Sequence, residues 1–395
     1  PVDQREEDFK GSLFLEDSLK SSRDLLSDIF IPLLENYAFY AERHLKKEEV
    51  IEKAVSVLDR SKRAGLCDLV DSLNRFIVTE LREPHFYIKS ACYNRKAEKT
   101  AMYVFPIQGR QLVAGVFDDS LSMHVPLGSE LTEVNGQEIT KEDLNPKDVN
   151  ALLKGIPGKQ VHVTIRPEGQ TARTVSYVLK DKYRIPAGFS PANFDFRYLN
   201  DSVAYYKISK INPELPLDFA SRLDSINGRA KLILDFRNNG GGDFLAGAEF
   251  LSFIIGHKFT YFDFEAFPSG HRDSVVVREN ATPFHYRPDG KLVLLVDGST
   301  ACIAELVVYT LKTRYKNVVV VGREHSRGAL AFIYEINFPK DNIVVATNCL
   351  DTGKFLLGGQ SIEGKGIKPD IPVEIQSVLD LQPYQDKVLK VAISQ

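Results

Sequence analysis

Apolar residues along this chain change their spacing twice. Up to residue 84 they recur at helical intervals: Leu25, Leu26, Ile29, Leu33 and Leu34, then Val55 and Leu58, then Leu66, Leu69, Val70 and Leu73. The spacing predicts a small helical domain over residues 1–84, with Asp68 or Ser72 as an early-turn or capping residue of its last helix. Beyond it, FYIKSACY and TAMYVFPI alternate as strands do, and QLVAGVFDDS follows. HVPLGSELTEVNGQEI reads as two strands joined at Asn135-Gly136, a dipeptide suited to a tight hairpin. After a helix-like DVNALLKG, KQVHVTIRPEG and TARTVSYVL form another alternating pair, so residues 85–185 are expected to be a compact β-rich module.

From Ser202 the runs become densely apolar. SVAYYKIS, KLILDF, KLVLLVDG and NVVVVG have the length of buried strands, and Leu217–Ile226, Leu245–Ile255 and Ala304–Arg314 between them are helix-like. Such alternation implies a parallel or mixed sheet covered on both faces over residues 186–395. The expected fold is therefore a multidomain α/β protein. Ligand and catalytic sites of such sheets lie at the carboxyl ends of strands. Two turns fall there, Asn238–Asp243 and Asp297–Glu305.

A length of 395 residues fits two or three domains, and 43% hydrophobic with 26% charged residues is ordinary globular composition. Fifty basic against fifty-three acidic residues, a net charge of −3, argue against nucleic acid or an anionic membrane as the main partner. No apolar run reaches the roughly 18 residues of a membrane span. No secretory signal is visible at Pro1, so any export signal is expected to have been removed or never to have existed. Cys67, Cys92, Cys302 and Cys349 show no C-x-x-C spacing, so no metal site is expected, and they leave the redox compartment open.

The stretch LILDFRNNGGGD, Leu232–Asp243, is the strongest chemical signal. A buried strand opens into three glycines, whose bare backbone lets N–H groups approach a developing negative charge. The plain alternative is a tight strand-to-helix connection without chemistry.

Taken with three other segments, this stretch resembles the C-terminal processing and tricorn-type serine peptidases. LILDFRNNGGG is similar to their oxyanion turn, VDGSTACIAELV to their nucleophile turn and helix, and QSIEGKGIKPDIPVE to their carboxyl-terminal signature. PLGSELTEVNGQEI with LLKGIPGKQVHVTI resembles the PDZ module that precedes the core, and LREPHFYI the acidic-x-His element of tricorn-type members. The resemblance implies a ClpP/crotonase-like core preceded by a PDZ-like module, a polypeptide or peptide substrate and no cofactor. It also implies export to the periplasm or cell envelope. Nothing in it fixes the oligomeric state.

Two departures stand out. Cys302 occupies the usual serine position, three residues before Glu305, and GREHSRGALA holds Arg327 but no lysine. Arginine does not deprotonate and cannot replace a general-base lysine. What the resemblance leaves is a Cys/His/Glu set: Cys302 as nucleophile, His85 as base and Glu363 orienting the imidazole. The N–H groups of Gly240 or Gly241 and of Ile303 would hold the oxyanion. Arg327 and His325 are candidate substrate-binding residues. Structural alternatives stand beside each: a packed cysteine at a helix start, a core histidine, a solvated glutamate. The function implied is peptide-bond hydrolysis. The alternatives are an inactive pseudopeptidase binding peptides or envelope components, and a small-ligand carrier on the same core.

Overall fold

The computed structural model describes residues 12–14, 20–90 (except 82 and 84), 99–139, 149–183 (except 151 and 156), 193–265, 272–278, 290–348 (except 332), 354–356 and 361–395 (except 384). Two compact units emerge from its contacts: residues 1–94 with 193–371, and residues 95–192 with 372–395. In chain order the elements are β1 (Ser12–Phe14), α1 (Ser22–Glu35), α2 (Lys47–Arg60), α3 (Leu66–Phe76), β2 (Tyr87–Lys89), β3 (Met102–Ile107), β4 (Arg110–Val116), α4 (Asp119–Ser122), β5 (Glu130–Val134), β6 (Gln137–Glu138), β7 (Gln160–Arg166) and β8 (Arg173–Val178). There follow β9 (Phe194–Asn200), β10 (Val203–Ile208), α5 (Leu215–Asn227), β11 (Lys231–Asp235), α6 (Phe244–Ile255), β12 (Phe259–Glu265), β13 (Arg272–Val277), β14 (Lys291–Val296), α7 (Ile303–Arg314), β15 (Val318–Gly322), β16 (Tyr334–Phe338) and β17 (Ile343–Thr347).

The first unit is built on a sheet in the order β15-β14-β11-β10-β9. Four of these strands are parallel, and β9 runs antiparallel to β10, so the sheet is mixed. Strands β11 and β14 are almost wholly buried because helices cover them, which is why they read as unbroken apolar runs. Phe219 of α5, Phe250 of α6 and Leu306 of α7 share one core with Leu234 and Leu294 of the sheet. The carboxyl ends of β11 and β14 release the two turns singled out in the sequence.

The N-terminal helices form, but they do not stand apart. Leu26, Phe30 and Leu34 of α1 and Leu69, Val70 and Leu73 of α3 pack in one core with Phe86, Ile88, Ile336, Phe338, Ile343 and Val345. A four-stranded sheet in the order β1-β16-β17-β2 supplies those partners. The FYIK strand, expected to open the β-rich module, is β2, and it pairs antiparallel with β17, Ile88 opposite Val345. A pairing so distant in sequence leaves no local trace. Helix α3 starts after Gly65, which leaves Asp68 as the acidic residue of its first turn, the early-turn role expected, while Ser72 neither caps the helix nor lies in that turn. The Ser72 hydroxyl donates back to the Asp68 carbonyl instead.

The second unit is β-rich: an antiparallel sheet in the order β3-β4-β5-β7-β8, with β6 off β5. Asn135 and Gly136 both have positive φ, 51° and 83°, the left-handed pair of a type I′ hairpin turn. The terminal segment, expected with the α/β core, contributes here. Val378 packs on Ile107, Leu112 and Ala114, and Gln382 donates to the Ala114 carbonyl at 2.9 Å. That layer explains why Leu112, Val113 and Ala114 are buried in succession rather than alternately. No helix among the described residues is long and apolar enough to cross a membrane.

Candidate active site

Two turns at the carboxyl ends of β11 and β14 are fastened to each other. One oxygen of the buried Asp297 carboxylate accepts the Asn238, Ser299 and Thr300 N–H groups at 3.0–3.2 Å. The Thr300 hydroxyl donates to the Phe236 carbonyl at 2.9 Å, and the Ala301 N–H to the Asn239 carbonyl at 2.9 Å. Asn239, fully buried, spans the glycine turn: its amide donates to Ile208 O at 2.8 Å and its side-chain oxygen accepts the Gly241 N–H at 2.9 Å.

Cys302 sits immediately before α7 with φ 56° and ψ −130°, a conformation a non-glycine residue adopts only at a cost of about 1–3 kcal/mol. The surroundings hold it there. Its N–H donates to the Ala329 carbonyl at 2.7 Å and to Glu305 Oε2 at 3.1 Å. Glu305 is fully buried, and it also accepts the Ala329 N–H (2.9 Å), the Gly328 N–H (2.7 Å) and the Ser326 hydroxyl (2.5 Å). Burial raises the Glu305 pKa, and the donated hydrogen bonds oppose that rise. This one carboxylate therefore ties the helix start to the 326–329 loop. Glu305 thus caps the helix from its third position. The Cys302 thiol is free and half-buried, with Sγ 4.0 Å from the Ala331 carbonyl oxygen.

His85 reaches the same site from the far end of the chain. Asn74 of α3 clamps the chain just after it, accepting the Ile88 N–H at 2.8 Å and donating to the Ile88 carbonyl at 2.9 Å. The imidazole is 7% exposed and its Nδ1 lies 3.3 Å from Glu83 Oε1, an ion-pair distance without the alignment of a linear hydrogen bond. Burial alone would lower the imidazole pKa. Interaction with the Cys302 and Glu83 side chains and both their charges outweigh it, raising the value from 6.5 to about 10.

Glu83 is held in turn. Its Oε1 accepts the His85 backbone N–H at 2.8 Å, and its Oε2 accepts the Tyr37 hydroxyl at 2.7 Å and lies 3.1 Å from Arg43. Burial pushes this carboxyl up, but His85 and Arg43 prevail and bring its pKa to about 2. Glu363, expected to orient the imidazole, is engaged elsewhere. One oxygen is paired with Arg43 and the other accepts the Leu330 N–H at 2.9 Å. Burial first, then the neighbouring Glu83 charge, raises its pKa to about 7. The carboxylate against His85 is Glu83's, and Glu363 stands one residue further out, behind Arg43. The acidic-x-His spacing in LREPHFYI carried the signal for Glu83. Arg43, Tyr37 and Asn239 carried none, since each acts through partners remote in sequence.

The oxyanion candidates divide. The Gly241 N–H is committed to Asn239, so Gly241 is not an available donor; an asparagine two residues before it closes an Asx-type turn. The Gly240 and Ile303 N–H groups have no intramolecular acceptor among the described residues. His325 and Arg327 are exposed on the loop that carries Gly328. His325 Nδ1 lies 3.2 Å from the Lys365 carbonyl, and the Arg327 backbone N–H donates to Thr300 O at 2.8 Å. Among the described residues no group of three or more His, Cys, Asp or Glu side chains is arranged to hold a metal ion.

Residues 202–373 match the profile of peptidase family S41. A carboxyl-terminal-processing peptidase 1, chloroplastic, of Arabidopsis thaliana is 25% identical over 252 residues, covering 62% of this chain and 48% of that protein. The chain thus matches about half the length of that curated relative. Among solved structures, mature CPAF superposes with a TM-score of 0.69 at 14% identity, covering 93% of this chain and 95% of the other. The photosystem II D1 C-terminal processing protease gives a TM-score of 0.52 at 18% identity, covering 94% and 98%. These two likenesses bear on the fold, which is the multidomain α/β architecture expected from the sequence.

Proposed function

We propose that this chain, whose residues 202–373 carry the peptidase family S41 core, hydrolyses peptide bonds through a cysteine nucleophile. The observation that carries this reading is the gathering of three groups: Cys302 on a strained helix start, the buried His85 imidazole interacting with its side chain, and Glu83 3.3 Å behind the imidazole. A structural cysteine needs neither the strain nor the histidine.

In this reading the thiol passes its proton to His85, and Glu83 stabilises the imidazolium. The thiolate attacks the scissile carbonyl carbon. The resulting oxyanion is received by the Ile303 N–H at the start of α7 and the Gly240 N–H of the glycine turn. The imidazolium then protonates the leaving amine as the C–N bond breaks, leaving a thioester on Cys302. A water gives its proton to His85, attacks the thioester carbonyl and releases the acid and the thiol. Arg327 and His325, exposed beside the nucleophile loop, are proposed to meet substrate. The β-rich unit is proposed to take up a peptide as an added strand, as a PDZ-like module does.

Two observations support export to an oxidising compartment or envelope. Cys67 is disulfide-bonded, and such bonds persist where thiols are not kept reduced. The curated relative is chloroplastic by name.

The experiment compares the wild type with Cys302→Ala, Cys302→Ser and His85→Ala on a peptide library read by mass spectrometry. Cleavage by the wild type, abolished in Cys302→Ala and reduced in His85→Ala, is the expected result. Retained binding without cleavage in every protein, Cys302→Ala included, would replace the peptidase reading with the pseudopeptidase one.

A further inference from the structure

The turn between α1 and α2 lies outside the residues that match the family, yet it delivers a charge into the site. It is a constructed turn. His44 has a positive φ of 55°, the Leu45 N–H closes on the Tyr40 carbonyl at 2.8 Å, and the Tyr37 and Tyr40 rings meet edge to face at 5.1 Å. Its backbone abuts the loop of Glu363, where the Glu42 carbonyl lies 3.0 Å from the position a Cβ on Gly364 would take. From this turn the Arg43 side chain, only 14% exposed, pairs through one nitrogen with both Glu83 and Glu363.

The two carboxylates serve opposite walls of the site. Glu83 backs His85, and Glu363 holds the Leu330 N–H on the loop whose neighbours Gly328 and Ala329 are bonded to Glu305 beneath Cys302. Two buried carboxylates this close repel unless a cation lies between them. We propose that Arg43 is a positioning residue of the active site, holding Glu83 ionised behind His85 and Glu363 seated against Leu330, so that the N-terminal turn completes the thiol–imidazole pair. The proposal rests on the Cys302/His85 reading above. Groups facing His85 are Cys302 and Glu83 directly, with Glu363 within electrostatic reach and Arg43 and Tyr37 paired with Glu83.

The test uses two readouts on the full chain: the pH dependence of Cys302 alkylation by iodoacetamide, and the titration of the His85 ring followed by NMR. In Arg43→Met the alkylation rate at neutral pH is expected to fall about tenfold or more, and the His85 pKa to drop by about one unit or more. Arg43→Lys is expected to recover part of both, since it keeps the charge but not the planar fork. Arg43→Met/Glu363→Gln, with one carboxylate neutralised, is expected to recover part of them by removing the repulsion. A purely structural arginine would lower the denaturation midpoint and leave both pH profiles at their wild-type positions. A folded Arg43→Met protein with unchanged profiles overturns the proposal. If Arg43→Met does not fold, the double variant is read in its place, and a wild-type profile there has the same meaning. Slow alkylation already in the wild type, with a His85 titration that still moves in Arg43→Met, would instead sink the peptidase reading and leave the role of Arg43 standing.

Discussion

A Cβ built on Gly241 would lie 2.7 Å from the Cβ of Cys302, 2.9 Å from the Ala301 carbonyl oxygen and 3.0 Å from the Ile303 nitrogen. The glycine turn therefore presses directly on the strained helix start, and no other residue fits at that contact. Gly241 also has φ 97°, which side-chain-bearing residues avoid. Gly240 differs: nothing lies within 4 Å of its would-be Cβ and its φ is not positive. Gly241→Ala is expected to cost about 1–3 kcal/mol of stability and to abolish rapid alkylation of Cys302. Gly240→Ala is expected to cost under about 1 kcal/mol. Urea denaturation of the two variants decides it, and equal losses would show that the close approach has no consequence.

Glu305 accepts three backbone N–H groups, those of Gly328 and Ala329 buried, and one hydroxyl. Glu305→Ala would leave Ala329 and Gly328 donors buried without partners, at about 1–3 kcal/mol each. Glu305→Gln would bring an amide N–H against those same donors and is expected to be little better. A fall in denaturation midpoint for both variants, with loss of Cys302 alkylation, is the anticipated result. A stable Glu305→Gln protein with normal alkylation would show that charge is not required there.

Period and turn chemistry made much of this fold legible. Dense apolar runs identified β10, β11, β14 and β15, because a strand buried on both faces has no polar positions to spare. Asn135-Gly136 identified its hairpin because the turn needs two left-handed residues. The strand–glycine and strand–cysteine turns could be placed at one end of a sheet from topology alone. What stayed hidden depends on partners far away in sequence. Strand β2 belongs with β17 rather than with the β-rich unit, and Val378 covers a sheet formed more than 250 residues earlier. At the site, Gly241 supplies space rather than a donor, because Asn239 takes its N–H. Glu363 faces Arg43, because Glu83 already occupies the space beside His85. Arg43 itself lies in a turn whose sequence shows nothing of two carboxylates from elsewhere.

The buried charges also predict how stability depends on pH. The Glu363 pKa, pushed up by burial and by Glu83 to about 7, lies above its ordinary 4.5, so the folded state prefers the protonated acid. Its contribution is fully present below about pH 4.5 and is lost as pH rises through about 7. His85, raised to about 10, contributes fully below 6.5 and loses that contribution as pH rises through about 10. Glu83, lowered to about 2, contributes above 4.5 and loses it as pH falls through about 2. Glu305, also raised by burial, and His85 above pH 6.5 change in the same window, and both remain in a Glu363→Gln variant, so comparison with that variant isolates Glu363. Denaturation across that window is expected to show the wild type losing about 3 kcal/mol relative to Glu363→Gln, whose amide does not titrate. Parallel curves for the two proteins would mean that Glu363 is not perturbed in the folded state.

Tyr261, on β12, offers a test from the opposite wall. Its hydroxyl is buried and has no hydrogen-bond partner among the described residues. The ring is only 2% exposed, stacked on Phe244 at 5.4 Å. Gly247 of α6 leaves room for the hydroxyl, since a Cβ there would lie 2.6 Å from it. Burial, then the charges of Cys302 and Asp243, pushes the phenol pKa well above its ordinary value, so the group stays a neutral donor. A buried hydroxyl without an acceptor costs free energy that phenylalanine does not incur. Tyr261→Phe is therefore expected to leave stability unchanged or raise it by about 1 kcal/mol, read as the shift in denaturation midpoint at constant slope. A loss of more than about 1 kcal/mol would reveal that the hydroxyl holds a partner in solution, such as an ordered water between β12 and α6.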